Sequence, residues 1–483
     1  MNSAYKNIFK ATALFGSVQG LNILLNLVRA KLAALLLGPA GVGLNGIFTE
    51  TKELLHETTN MGMDQSGVQT ISIAYEEFLK TNDDTQLRNS IKLTRSWVIL
   101  FAFIGIIFCS IFSSPISMMT FGNTEHTLDF VFLSPAVAMA TTICGEMAIL
   151  RATRQLKRIA TLSSVNIIIG IVTCIPLYII WGFRGIIPAI LLCLFVQMCI
   201  TMFFSYKNYK PEFCFNKAFL STGKAMILLG GALVLQGIIA HGTKLGIQSY
   251  INTNGSLSDV GLFNAMTTII SSYLGLFAYA IHSDFYPRLA GVFKDLDSRK
   301  NTVMRQIDVL QLFTAPMIVL MLSCLNILVP LLLSSDFNTM IPALEIALIS
   351  CLTRSISQPL AFLPLAGGEP KSYLALDIVD YALMLVTYIT CYALWGLTGL
   401  GFGIFLYNIL DLLWCCVFAK IKYGVSPNKR NVFFLIIQTA IIFGTYILAT
   451  MFSGITYIIG CICAISLSVI ISLKLFQVIN QEQ

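Results

Sequence analysis

Lys157 to Lys207 reads KRIATLSSVNIIIGIVTCIPLYIIWGFRGIIPAILLCLFVQMCITMFFSYK. It holds two apolar runs, 161–181 and 186–206, each with about the 20 residues a helix needs to cross the hydrocarbon core. Only Trp181 to Gly185 separates them, and the one charge in that turn is Arg184. Cations stand at both far ends, Lys157 and Arg158 before the first run and Lys207 after the second. Helices this apolar on every side have no solvent face and belong in lipid.

The same pattern repeats outward from this hairpin. Further spans read at 11–37, 43–62, 96–116, 129–149, 225–250, 260–281, 308–333, 341–365, 372–395, 400–419, 432–452 and 455–475. The second is the least regular, because it contains Glu50, Lys52, Glu53, His56 and Glu57. The composition agrees: 56% of residues are hydrophobic and 11% charged, against roughly 45–50% and 25% in soluble domains. The fold class is an all-α polytopic membrane protein of about fourteen transmembrane helices. The longest connectors, near 63–95 and 282–307, are amphipathic or charged and too short for an enzymatic domain.

A formal net charge of +7 raises nucleic acid as a partner, and the placement of the charges argues against it. With the N-terminus inside, twenty-five of the 31 Lys and Arg residues fall in cytoplasmic segments, Arg95 among them. Arg184 alone lies in an outer loop; Arg29, Lys31, Lys52, Lys244 and Arg354 lie within spans. This is the positive-inside pattern, with both termini cytoplasmic. The thirteen cysteines sit almost wholly within spans and read as small packed hydrophobes, with no metal cluster and no disulfide framework.

A weak internal repeat organises the chain. Lys10-Ala11, Gly16, Lys31-Leu32, Val42-Gly43-Leu44 and Asp64 are followed, in the same order, by Lys224-Ala225, Gly230, Lys244-Leu245, Val260-Gly261-Leu262 and Asp284. Two six-helix lobes, 1–210 and 220–425, follow from it, with two additional helices in 430–483. An even number of spans between the copies makes the repeat parallel, a transporter arrangement.

Ionisable residues within spans are costly and mark functional faces. In the first span Gln19, Asn22, Asn26 and Arg29 fall within about 80° of helical arc. In the seventh, His241, Lys244 and Gln248 fall within about 60°. The tenth carries a looser stripe of Ser350, Arg354, Ser357 and Gln358. Glu50, Glu53, Glu57 and Asp64 form an acidic face on the second, with His56 and Lys52 beside it. Arg29, Lys244 and Arg354 suit an anionic, oxygen-rich ligand such as a phosphate-linked sugar. The alternative is structural: Arg29 and Lys244 would tie helices together by pairing with second-span carboxylates or with Glu146. The acids Glu50, Glu53, Glu57 and Asp64 read functionally as an ion-coupling site, binding and releasing a proton or Na⁺, and structurally as the mark of a helix partly out of the membrane. Glu345, Asp377, Asp380 and Asp411 read as solvated or capping groups.

Leu36 to Phe48, LLGPAGVGLNGIF, resembles the corresponding segment of Wzx-type O-antigen and polysaccharide flippases, within the multidrug/oligosaccharidyl-lipid/polysaccharide (MOP) exporter superfamily. Phe285 to Gly291, FYPRLAG, resembles the matching segment of that family's second lobe. The resemblance implies a cofactor-free transporter of the bacterial cytoplasmic membrane that moves undecaprenyl-diphosphate-linked oligosaccharide to the outer leaflet. It also implies membrane lipids and polysaccharide polymerase machinery as partners, and Arg29, Lys244 and Arg354 as contacts to the anionic carrier. Two rivals share the superfamily, a multidrug/cation antiporter and a peptidoglycan-precursor flippase. A membrane-embedded glycosyltransferase or polymerase would need a sizeable outer loop with catalytic groups, which this sequence lacks.

Overall fold

The structure, a computed structural model, describes the backbone of residues 3–214, 217–280 and 285–481. Side chains are described for residues 25–155, 157–214, 234–272 and 285–477. Contacts divide the chain into two compact units, Met1–Val260 and Gly261–Gln483.

The first unit opens with α1 (Ser3–Asn60). A straight helix of 58 residues would run about 87 Å, roughly twice a bilayer with its headgroups. It therefore breaks at Gly38, whose φ of 62° no β-carbon-bearing residue adopts cheaply, and Pro39 follows. The LLGPAGVGLNGIF segment is thus a turn between two arms. Its last residues, Ile47 and Phe48, are buried at 0% and 1% exposure.

Amphipathic α2 (Met63–Thr81) follows and buries Met63, Gly67, Ile71 and Ala74, one stripe at helical spacing. The remaining helices are α3 (Thr85–Ile111), α4 (Ser113–Phe121), α5 (Thr127–Ala152), α6 (Leu156–Trp181), α7 (Ile186–Tyr206) and α8 (Lys217–Asn254). Helix α5 packs on α3 and α7, while α1 packs on α6 and α8. Phe48, Phe130, Leu133, Tyr178 and Ile186 centre the core between them.

Helix α9 (Leu257–Ala280) carries the chain into the second unit. Both Val-Gly-Leu triplets of the repeat lie near the start of a helical arm, one after Gly38 and one at the start of α9. Then come α10 (Tyr286–Val292), α11 (Leu296–Leu332), α12 (Ile341–Ser350), α13 (Arg354–Ala361), α14 (Leu363–Ala366) and α15 (Pro370–Tyr423). Phe285 and Leu289 of the FYPRLAG segment are fully buried among Val303, Ile307 and Ile356. Helix α15 turns at Gly396, φ 59°, for the same length reason as α1.

The chain closes with α16 (Lys429–Met451) and α17 (Gly454–Gln481), a hairpin packed on α11. It is pinned at three depths. Asp308 of α11 takes Arg430 and accepts from Asn431 Nδ2 at 2.6 Å. Tyr457 donates to the Ser323 carbonyl at 2.8 Å. Between the two helices, Gln438 Nε2 donates to the Ser468 carbonyl and accepts at Oε1 from Ser468 Oγ at 2.8 Å. In lipid each such bond contributes about 0.6 kcal/mol on average.

Counting α1 and α15 as two arms each, the described residues make fourteen spans at the positions expected from hydropathy. The tenth differs from expectation. It is α12, a 3-10 turn at Cys351–Thr353, then α13 and α14, not one α-helix. Ser350, Thr353 and Ser355 hydroxyls all donate to carbonyls three residues back, competing with the helical ladder there.

The topology is open to a direct check. In a cysteine-free background, single cysteines at Asn123, Asn254, Asn338 and Ser453 are expected to react with an impermeant thiol reagent added to intact cells. Those at Lys157, Lys210, Lys300 and Asn428 are expected to stay unlabelled. Labelling of any of the second set breaks the orientation derived from the loop cations.

Candidate functional site

In the first unit the second arm of α1 meets α8. Glu50, 7% exposed, receives two partners from α8, one on each oxygen. His241 Nδ1 lies 3.1 Å from Oε2, and Lys244 pairs with Oε1. Lys244 and Glu50 thus form an interhelical ion pair with the neighbouring imidazole in the same cluster. Gln248, two turns from His241, is fully buried.

The other acids of the face differ from Glu50. Glu53 is paired locally with Lys52 at 2.6 Å. Glu57 is half-buried with no ion-pair partner among the described residues, and it sits against α8 where Gly237 leaves room. A β-carbon there would lie 2.8 Å from Glu57 Oε2. Asp64, expected on the same helix face, instead stands in the first turn of α2, because the chain turns at Met61 and Gly62, both at positive φ; that is a favourable place for a negative charge, within electrostatic reach of Glu57. His56 is buried, its Nδ1 3.1 Å from Thr141 Oγ1 of α5.

Arg29 lies apart from this cluster. It is half-buried on the first arm of α1 and packs on the bare backbone of Gly170 in α6, where an added β-carbon would come within 3.0 Å of its Cζ. Cys174 and Tyr178, one and two turns along α6, are its electrostatic neighbours. No carboxylate pairs with it among the described residues. Glu146, a candidate partner from the sequence, is taken by Arg95 at 2.9 Å. Asn26 is exposed, and the side chains of Asn22 and Gln19 fall outside the described residues.

In the second unit Arg354 opens α13, just after the 3-10 turn. It lies within electrostatic reach of Tyr407, Asp411, Tyr388 and Asp380, and its Nε is buried without a hydrogen bond. Tyr407 donates to Asp380 Oδ2 at 3.0 Å, and the Cys415 thiol to Asp411 Oδ1 at 3.3 Å. Asp411 and Glu345 are 7% and 6% exposed. Reading Asp380, Asp411 and Glu345 as solvated or capping groups is therefore corrected: all three are held inside the helix bundle. The signal was present in the spacing, since Asp380 is sixteen residues before the Gly396 turn and Asp411 fifteen after it. The two arms bring them to one depth.

Among the described residues the chain is a helical bundle with an ion pair between two of its spans and no folded domain outside them. A family model described as "Polysaccharide biosynthesis protein" matches residues 32–342, and the chain belongs to that family. The match covers both segments that carry the resemblance to the polysaccharide flippases. No curated protein matches the chain at a significant level.

Among solved structures, the lipid II flippase MurJ in an inward closed conformation superposes with a TM-score of 0.72 at 13% identity, over 97% of this chain and 99% of that one. An inward-facing multidrug resistance MATE family transporter of the MOP superfamily gives 0.67 at 14%, over 83% and 94%. The Vibrio cholerae MATE transporter VcmN gives 0.59 at 13%, over 85% and 97%. At these identities the likeness is one of fold.

Proposed function

We propose that this chain is a flippase that moves an undecaprenyl-diphosphate-linked oligosaccharide, an O-antigen or similar repeat unit, across the bacterial cytoplasmic membrane. It works by alternating access of two six-helix lobes, 1–210 and 220–425, with 430–483 as an accessory hairpin. No covalent bond changes, and no cofactor is needed. The observation that carries the reading is Arg29: a guanidinium within a span, without a carboxylate partner among the described residues, in a member of a polysaccharide biosynthesis family.

A guanidinium in that setting favours an anion, and it binds phosphate oxygens in a two-pronged fork. Lys244 adds a cation on α8, held in place by Glu50, with His241 as a polar neighbour. Asn22, Asn26 and Gln248 supply hydrogen-bonding groups suited to sugar hydroxyls, and Arg354 is a further candidate contact to the anionic carrier. Glu50, Glu53, Glu57 and Asp64 are the candidates for ion coupling, with Glu57 foremost because it lacks an ion-pair partner among the described residues. A polymerase that consumes the flipped glycan is the expected partner.

Two other readings remain in the same class. A peptidoglycan-precursor flippase shares the diphosphate chemistry, and a multidrug/cation antiporter would use Glu57 to hold a cation. Deleting the gene and identifying the lipid-linked glycan that accumulates on the inner leaflet separates them. Accumulation of a polysaccharide repeat unit is expected. Accumulation of a peptidoglycan precursor, or of neither lipid, overturns the proposal. In proteoliposomes from the same work, Glu57→Gln is expected to change the ion dependence of transport.

A further inference from the structure

A cavity of about 600 Å³ opens in the first unit, at the end of the bundle opposite the cationic loops. Its apolar wall includes Leu44, Phe48, Phe132, Ile187 and Leu191. Its three polar residues all lie where helices begin. His126 precedes α5, Asp129 is in the first turn of α5, and Arg184 sits in the 3-10 turn Gly182–Gly185 ahead of α7. The apolar residues run inward from there. Leu191 is five residues into α7, Phe132 five into α5, and Phe48 ten past the Gly38 turn. At 1.5 Å per residue the wall reaches about 15 Å inward, the depth of one leaflet of the hydrocarbon core.

The charges of the cavity are unequal in their freedom. His126 Nδ1 donates to Asp129 Oδ2 at 2.7 Å, and its ring lies 4.0 Å from that of Phe121. That contact ties the two side chains to each other. Arg184 is exposed and has no carboxylate partner among the described residues. Trp181 and Phe183, 54% and 50% exposed, flank it as interfacial aromatics do. One guanidinium without an ion-pair partner among the described residues thus stands at headgroup level over an apolar trough one leaflet deep.

We propose that this cavity is a binding site for one anionic phospholipid of the leaflet at that end. Arg184 takes the headgroup phosphate in a bidentate fork, and an acyl chain lies along Phe132, Ile187 and Leu191. The largely apolar lining fits a lipid chain and not a glycan. The site lies apart from Arg29, Lys244 and the acidic face, and it does not depend on what the protein transports.

The test uses the full-length chain purified from detergent containing equal phosphatidylglycerol and phosphatidylcholine, with retained lipid counted by mass spectrometry. Arg184→Gln is expected to remove about one phosphatidylglycerol per chain and to lower preference for it about fivefold, as one surface cation contributes. Arg184→Lys keeps most of that preference. Ile187→Trp, which fills the trough, lowers retention with Arg184 intact, and Lys157→Gln at the other end leaves this lipid in place. Arg184 is exposed, so its variants fold irrespective of the fate of Ile187→Trp; thermal unfolding in detergent checks this. Equal phosphatidylglycerol retention by the parent chain and Arg184→Gln overturns the proposal. So does displacement of phosphatidylglycerol by an equal concentration of polyprenyl monophosphate, which would make the cavity a carrier site.

Discussion

Arg29→Ala is expected to lower glycan translocation about 10- to 100-fold, the range set by losing a charge-assisted hydrogen-bonding group of about 1.5–3 kcal/mol, at unchanged protein level. Arg29→Lys keeps the charge and loses the fork, so it should retain part of the activity. The readout is flipping in proteoliposomes, with complementation of a deletion strain beside it. A helix tie makes a different forecast, because neutralising its partner would restore activity. Arg29 has no carboxylate partner among the described residues, and Glu146 is already bound by Arg95. Rescue of Arg29→Ala by Glu50→Gln, Glu53→Gln or Glu57→Gln would therefore sink its assignment as a carrier contact.

Lys244 separates the two roles within one experiment. Its ammonium shares the Glu50 carboxylate with His241. Lys244→Ala leaves Glu50 buried with only the imidazole beside it, so part of any loss is structural. Lys244→Ala with Glu50→Gln should recover protein level and stability. Whatever transport deficit the double variant shows beyond that of Glu50→Gln alone belongs to the carrier.

The sequence made the spans legible for a simple reason. Crossing a bilayer requires about 20 apolar residues, and that requirement is written locally. The Gly38-Pro39 turn was legible on the same ground, since a break must fall between two apolar runs. Pairing between helices was legible only in part: Lys244 meets a second-span carboxylate, Glu50, as the structural alternative expected, while Glu146 is taken by Arg95. Helical spacing placed Glu50 and Lys244 correctly on polar faces, but which carboxylate meets which cation depends on which helices are neighbours. Arg95 shows the limit best. By position it counted as a loop cation, and it is 3% exposed. Depth was the unused signal: Arg95 abuts the inner end of one span and Glu146 the inner end of another, just as Asp380 and Asp411 flank Gly396 at matched distances.

Arg95→Ala is expected to destabilise the fold by about 3–5 kcal/mol, the cost of stripping one partner from a buried ion pair. The geometry leaves no slack. Nε and Nη2 grip Glu146 at 2.9 and 3.0 Å, and Nη2 also donates to Ser205 Oγ at 3.1 Å. Nη1 donates to the carbonyls of Tyr209 and Lys210 at 3.1 and 2.7 Å. All five guanidinium N–H groups are used, and the Tyr206 ring covers the cation at 4.7 Å. Arg95 therefore joins α3, α5, the end of α7 and the segment leading to α8 in one knot. Arg95→Lys cannot reproduce five planar donors and should lose most of the same stability. Arg95→Met with Glu146→Leu removes both charges together and should be far milder than either single change. Thermal unfolding in detergent reads the difference, and proteolysis within 207–214 reports release of the segment. If the double variant is as unstable as Arg95→Ala, the backbone carbonyls at 209 and 210, and not the Glu146 charge, are what Arg95 chiefly serves.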